Sequence, residues 1–565
     1  MAALFFVKVS GFLFKIVIGR LITKAGNGYF GSAYSIYLPI FTLALSGFPA
    51  AVSRLVASEN SQGNYRNVRK TYRISLIFFF ILGIVGTAFL LFGSGVLTSA
   101  IDNPKAKLAV ICLAPTVFFC CIMSVYRGYY GGLSNLYPSA VSQIIEAFVK
   151  MLVGIGAAAV VMKIGTDEFL SKGTVFGTAF ATQDEAMNAL YPYGAAGAIL
   201  GVTAGALVSC LYIFIRFRFK GDGITEEMLN SDRQIVFSDR RILGKILRIG
   251  LPISLGAAVM QLSSLIDSFT ILAVLKNILP TCETLIRDTY QYASDSVALE
   301  DIPNILWGCF SYAVTFYNLV PLTVQSFSQS AIPEVTNAFV SGTKEDLAEK
   351  IRFTLKISLI FALPAGAGLI ALSGPIIQLI YPSAVIETVP ILRLLCFAAV
   401  FAALCQPINS VLQSIGKYDA PVFVMLGGAV IKLIANLVLV RNPKLNILGA
   451  AISTILCYTF LFFVLLLLLK KFSGIRLGIL KMAIKPFVCA LLCGGTAYGV
   501  YTLLIKLLGS RNLFIASSLI ISVILAIIVY FGSSLLSGSI TKNEIFLLPK
   551  GKKLGKVLEK LHILR

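Results

Sequence analysis

Apolar runs of about 20 residues, parted by shorter polar stretches, recur fourteen times along the chain. As helices, each is long enough to cross a hydrocarbon core about 30 Å thick. They fall near residues 3–23, 30–56, 74–100, 108–127, 138–162, 193–215, 248–275, 305–333, 354–380, 390–413, 420–440, 447–469, 483–506 and 513–536. The pattern predicts an all-α integral membrane protein with fourteen transmembrane helices. The first run is the most interrupted, by Lys8, Lys15 and Arg20. Its charges lie within and after the apolar stretch instead of before it, so it reads as a retained span and not as a signal peptide.

The two halves of the pattern resemble each other. Residues 74–78 and 357–361 both read ISLIF. Pro39 and Pro49 face Pro321 and Pro333, Pro138 and Lys150 face Pro421 and Lys432, and GAAGAIL at 194–200 faces LGAAIST at 448–454. Four matches in one order at a nearly constant offset predict two six-helix repeats running in the same direction, an architecture of transporters. The expected segments are a first lobe at 1–220, a linker at 221–245, a second lobe at 246–471, two extra spans within 472–540 and a basic tail at 541–565.

Composition agrees with this reading: 57% of residues are hydrophobic, 13% are charged, and mean hydropathy is +0.87. A soluble chain of 565 residues cannot bury so much apolar surface. The net charge of +22 suggests nucleic acid until its distribution is read. With both ends on one side, alternate connections and the tail hold thirty Lys and Arg, against eleven in the opposite set. Basic loops stay in the cytoplasm, so both termini are expected there, in a multi-pass cell-membrane protein with no nucleic-acid role. The basic tail also suits contact with anionic membrane lipids. Eleven cysteines lack metal-ligand spacing, though Cys282 and Cys309 both fall toward the outer side, where pairing stays open.

Charges inside the spans carry the chemistry. A charge at the centre of a spanning helix costs about 2.5–3.5 kcal/mol. Glu146 and Lys150 together would cost about 5–7 kcal/mol facing lipid, and an i,i+4 Glu–Lys pair returns only about 0.2–0.5 kcal/mol. They therefore need water, partners or a cavity. Ser139, Ser142, Gln143, Glu146 and Lys150 form one stripe of the helix opened by Pro138. Lys150 falls about 18 Å along it, near the midplane. Lys15 is deep in the first span, with Arg20 nearer its end; Arg54 and Arg127 end the second and fourth spans. Lys432 is the counterpart of Lys150, and Asp267 lies in the seventh span. The bland readings are snorkelling for Arg20 and Arg54, pairing with Arg127 or Lys150 for Glu146, and helix packing for Asp267. The functional reading is a cationic, anion-binding cavity of Lys15, Arg20, Arg54, Arg127, Lys150 and Lys432, with Glu146 and Asp267 in a coupling or charge network.

Four stretches carry a family resemblance: GFLFKIVIGRLI at 11–22, AGNGYFGSAYSIYLPIFTLALSGFPAAVSRLVAS at 25–58, YRGYYGGLSNLYPSAVSQIIEAFVK at 126–150 and ILRIGLPISLGAAVMQLSSLIDSF at 246–269. They resemble the polysaccharide-transporter branch of the multidrug/oligosaccharidyl-lipid/polysaccharide exporter superfamily, within it the sporulation stage V protein B-like group related to the lipid II flippase MurJ. The resemblance implies a V-shaped, two-lobed transporter of MATE/MurJ type. Such a protein moves an undecaprenyl-diphosphate-linked saccharide across the membrane by alternating access, its cationic cavity taking the diphosphate. On this likeness Lys15 matches the family's basic residue of the first span, and Arg127–Gly128–Tyr129 its motif ending the fourth. The chain departs from MurJ in having no basic residue in the second span before Arg54, and none between Trp307 and Thr343. The resemblance therefore reaches a lipid-linked saccharide more firmly than lipid II.

Two other functions compete. A cation-coupled drug exporter on the same fold would need cavity carboxylates, against which the Lys15/Lys150 pattern argues. A membrane transferase would need a cluster of His, Asp or Glu, yet the one histidine is His562 and no such cluster stands out. No nucleotide-binding glycine loop is present. The expectation is a non-enzymatic transporter, functional as a monomer, without a bound cofactor and driven by H+, Na+ or the membrane potential.

Overall fold

The structure is a computed structural model that describes residues 2–231, 236–292, 297–417, 419–475, 478–509 and 511–539. The basic tail from 541, with His562, and Asp295 of an acidic connection lie outside the described residues. The chain forms two compact units, residues 1–311 and 312–565.

The first unit holds α1 (Ala2–Leu21), α2 (Thr23–Leu45), α3 (Gly47–Ser61), α4 (Tyr65–Ala100), α5 (Lys107–Gly132) and α6 (Tyr137–Lys172). After a small hairpin of β1 (Thr174–Val175) and β2 (Thr178–Ala179) come α7 (Gln183–Lys220), the short α8 (Glu226–Ser231), α9 (Asp239–Tyr290) and the start of α10 (Ile302–Tyr317). The second unit takes the rest of α10, then α11 (Leu319–Ser341), α12 (Lys344–Ile380), α13 (Val385–Ser414), α14 (Asp419–Leu439), α15 (Ile447–Ser473), α16 (Ile479–Leu508) and α17 (Asn512–Leu536). Among the described residues, thirteen helical stretches are long and apolar enough to cross a membrane. This is a multi-pass integral membrane protein. Helix α1, interrupted by Lys8, Lys15 and Arg20, is not among the thirteen, so helix composition does not establish the expected count of fourteen.

Helix breaks depart from the hydropathy pattern, and each has a local cause. The expected span at 30–56 is two helices that meet at Ser46. Pro49, lacking an N–H, cannot bond the Leu45 carbonyl. The amide of Gly47 is instead taken by Ser254 Oγ of α9 at 3.0 Å. A Cβ on Gly47 would collide with the α9 backbone at Gly250, so only glycine lets the helices approach this closely. The expected span at 305–333 is likewise divided, between α10 and α11. The 52-residue α9 far exceeds its expected run and kinks at Cys282, two residues after Pro280. Among the described residues no cysteine is in a disulfide, Cys282 and Cys309 included.

The unit boundary falls inside α10, well past the expected linker, because α9 and the start of α10 pack into the first unit. Asn27 Nδ2 donates to the Gly308 carbonyl (2.8 Å), and Asn304 Nδ2 donates to the Ala25 carbonyl (2.9 Å). Asn103 Nδ2 donates to Asn304 Oδ1 at 2.8 Å. The connection between α7 and α9 is strapped to α4: Arg69 reaches the Ile224 carbonyl and Lys70 the Phe237 carbonyl.

The acidic outer connection at 163–192 is mostly helix, because α6 runs on to Lys172 and α7 starts at Gln183. At 36 residues, α6 is about 54 Å long and outreaches the hydrocarbon core by several turns. Glu168 at its end accepts from Thr174 Oγ1 (2.8 Å) and from the amides of Phe176 and Gly177 (both 3.1 Å), which fixes the hairpin.

Small residues join α6 to α7. Gly154 and Gly201 lie where a Cβ on Gly201 would strike the Gly154 backbone and the Lys150 carbonyl, and Gly205 lies against the Glu146 carbonyl. This is the close approach by which helices associate in lipid, where hydrophobic burial supplies no drive between them. Gly201→Leu should cost about 1–3 kcal/mol through overpacking and lower the melting temperature in detergent. Gly156→Leu on α6, where a Cβ meets open space, should leave it unchanged.

Candidate functional site, a cationic cavity among α1, α5 and α6

The wet stripe of α6 faces a cavity of about 250 Å³ within the first unit. Helix α1 contributes Val7, Ser10, Gly11 and Phe14, which share one face at three- and four-residue spacing. Arg127 comes from α5, and Gln143, Glu146, Ala147 and Lys150 from α6. A Cβ on Gly11 would meet nothing within 4 Å, so this glycine widens the cavity.

Glu146 is tied to Arg127 and not to Lys150. The guanidinium Nη2 is 2.9 Å from Glu146 Oε2, Nε donates to Ser142 Oγ at 3.0 Å, and Nη2 also reaches Ser209 Oγ of α7 at 3.4 Å. Ser142 and Ser209 are held in turn by the carbonyls of Ser139 (2.8 Å) and Ser142 (2.7 Å). Arg127 and Glu146 keep 20% and 30% of their side-chain surface open, so the pair borders the cavity and is not sealed away. Ser10 Oγ closes the α1 side by donating to the Ala147 carbonyl at 3.4 Å.

Lys150 is placed differently. Its ammonium stands 4.9 Å from the ring centre of Phe14 and 5.8 Å from that of Tyr34 on α2. Among the described residues it has no carboxylate partner. Cation–π contacts return about 0.5–2 kcal/mol, less than the insertion cost of the charge, so water or an anion in the cavity must supply the remainder. Lys15 lies within electrostatic reach of Lys150 but is not among the residues that line the cavity. With Arg127 and Glu146 cancelling, the cavity presents a net positive charge.

The other residues expected to bear on substrate lie elsewhere. Arg20 is exposed in the last turn of α1 and Arg54 is exposed on α3; neither lines this cavity. Asp267 is buried on α9 at 5% exposure. Lys432, at 3% exposure, belongs to the second unit, within electrostatic reach of Tyr458. One turn on, Asn436 accepts a hydrogen bond from Ser453. The half-buried position of Lys150 and the burial of Lys432 thus differ, although their sequence contexts match. The pattern missed Ser10, Phe14, Tyr34 and Ser209: serines and aromatics are common in spans, and only the fold brings these four to the charges.

A family model described as polysaccharide biosynthesis protein matches residues 1–337. The chain belongs to the polysaccharide biosynthesis protein family. A second model of that kind, for the lipid II flippase MurJ, matches residues 308–523. This family member is 23% identical to stage V sporulation protein B of Bacillus subtilis (strain 168) over 449 residues, 79% of this chain and 78% of that one. It is also 23% identical to the lipid II flippase MurJ of the same organism over 503 residues, 86% and 84% of the two chains. Among solved structures it is similar to lipid II flippase MurJ in an inward closed conformation, with a TM-score of 0.62, 14% identity, and 94% and 97% of the chains covered. An inward-facing MATE family transporter of the MOP superfamily gives a TM-score of 0.59 at 16% identity over 82% and 95%. At such identities these two likenesses are of fold.

The Arg127–Glu146 pair can be tested apart from transport. Glu146→Gln leaves a partly buried guanidinium unpaired and should destabilise the purified protein by about 1–3 kcal/mol, below a fully buried pair because both partners are partly open. In a double-mutant cycle with Arg127→Gln, the double variant should lose clearly less than the sum of the singles.

Proposed function

We propose that this chain is a flippase that translocates a lipid-linked anionic saccharide across the cytoplasmic membrane by alternating access. The observation that carries the reading is the ammonium of Lys150, held in the cavity by aromatic faces without a carboxylate partner among the described residues. A lipid-linked saccharide is joined to its lipid through phosphate or diphosphate, the anion that Lys150 and Lys15 would meet with charge-assisted hydrogen bonds. Similarity to stage V sporulation protein B and MurJ supports a cell-wall or polysaccharide precursor as cargo, lipid II among the candidates. The cargo's lipid stays in the bilayer, and the protein transports without altering covalent bonds.

The termini are assigned to the cytoplasm on the charge of the connections, and the working unit to a monomer. Energy is drawn from H+, Na+ or the membrane potential, with Glu146 or Asp267 as the carboxylates for a coupling ion. A cation-coupled drug exporter of the same fold is the weaker reading, because the one carboxylate lining the cavity is committed to Arg127.

Translocation of a fluorescent lipid-linked precursor in proteoliposomes tests this. Lys150→Gln and Lys15→Gln should each slow it at least about tenfold, the loss expected for one charge-assisted bond of about 1.5–3 kcal/mol. Gly11→Leu, which fills the cavity from a position with open space, should do the same while the melting temperature holds. Full translocation by both lysine variants would overturn the proposal, and efflux of organic cations instead would favour the drug exporter.

A further inference from the structure

A second cleft lies in the second unit and shares no lining residue with the cationic cavity. It has a volume of about 1060 Å³ and runs between α12, α13, α15 and α16. Its walls are apolar, with Leu363, Phe397, Val400, Phe463, Phe487 and Leu491 among them. Phe397, Phe463, Phe487 and Leu491 are exposed, so the cleft opens on the surface that faces lipid. Along α16 it extends from Ile479 to Gly495, about 24 Å at the helical rise. Lys470, in the last turn of α15, is the one charged side chain among its lining. Lys471 lies beside it, and Lys481 and Lys485 lie in the first turns of α16, all exposed at the same end. Among the described residues none of these four lysines makes an ion pair.

A long groove, apolar along its length and cationic at one end, is complementary to an amphiphile with an anionic head. A volume of about 1060 Å³ over about 24 Å leaves a mean cross-section of about 44 Å², room for two hydrocarbon chains side by side. We infer that the cleft is a binding site for a two-chain anionic phospholipid, its phosphate at Lys470 and its acyl chains between α13 and α16. Clustered lysines at a membrane face add about 1 kcal/mol each toward anionic lipid. Bound there, the lipid fills a gap that would otherwise leave the facing side chains of α12, α13, α15 and α16 without contacts on one side. The inference does not rest on the transport proposal, since the cleft and the cationic cavity share no residue.

Spin-labelled phospholipids bound to the full-length protein in proteoliposomes provide the test, the signal being the motionally restricted fraction. Phosphatidylglycerol should be favoured over phosphatidylcholine. Changing Lys470, Lys471, Lys481 and Lys485 together to Gln should remove that preference, and Lys470→Gln alone should reduce it about fivefold. Gly495→Leu, whose Cβ meets open space, should lower the restricted fraction by occupying the cleft, with the melting temperature keeping score of the fold. Equal affinity for the two phospholipids, or a preference that survives the fourfold variant, would overturn the proposal. So would stoichiometric displacement of phosphatidylglycerol by undecaprenyl phosphate, which would make the cleft a seat for the cargo's single chain. Flipping activity is not the readout, so failure here leaves the transport proposal standing, and the reverse holds equally.

Discussion

The ion pair between Arg127 and Glu146 sets the electrostatics on which the candidate site depends. Neither charge tolerates the low dielectric alone, and their 2.9 Å contact, with Ser142 and Ser209 on the same guanidinium, meets most of that demand within the protein. With Glu146 committed to Arg127, the ammonium of Lys150 keeps its charge facing the cavity. A pairing of Glu146 with Lys150, one turn apart on α6, would have produced a neutral stripe instead. The choice of partner therefore decides which cation, Lys150 and not Arg127, is left facing the cavity.

That choice rests on backbone geometry. Gly154, Gly201 and Gly205 bring α7 so close to α6 that Ser209 reaches both the Ser142 carbonyl and the guanidinium. Bulkier residues would move α7 outward, and the hydroxyl with it. Helix packing and charge placement are here one feature, and removing either loosens the other.

Much of this was legible in the sequence, and the part that was not has a physical reason. Span positions follow from hydropathy because an unbonded backbone is excluded from lipid. The shared stripe of Ser142, Gln143, Glu146 and Lys150 follows from helical periodicity, and the mismatch between insertion cost and i,i+4 pairing pointed to a cavity. The partner of Glu146 did not follow, since an Arg on α5 and a Lys on α6 both satisfy the arithmetic and only packing separates them. The break at Ser46 was equally hidden: Pro49 hinted at it, but the hydroxyl that stabilises it lies about 200 residues away on α9. Hydropathy also misjudged the ends of α6 and α7, because charged residues beyond the hydrocarbon core continue a helix as readily as they end one. The matched segments of the two halves do fall on helices in the same order, while Lys150 and Lys432 sit in environments of different depth.

The bond from Gly47 N to Ser254 Oγ has a mechanical consequence. A buried amide left unpaired costs about 1–3 kcal/mol, so α9 cannot slide along this surface while the joint at Ser46 stays as it is. In an unbroken helix this amide would go to the Leu43 carbonyl one turn back, a pattern that Pro49 interrupts two residues on. The position of α9 and the bend at that joint are thereby tied together, a hydroxyl on one helix holding the bend of another.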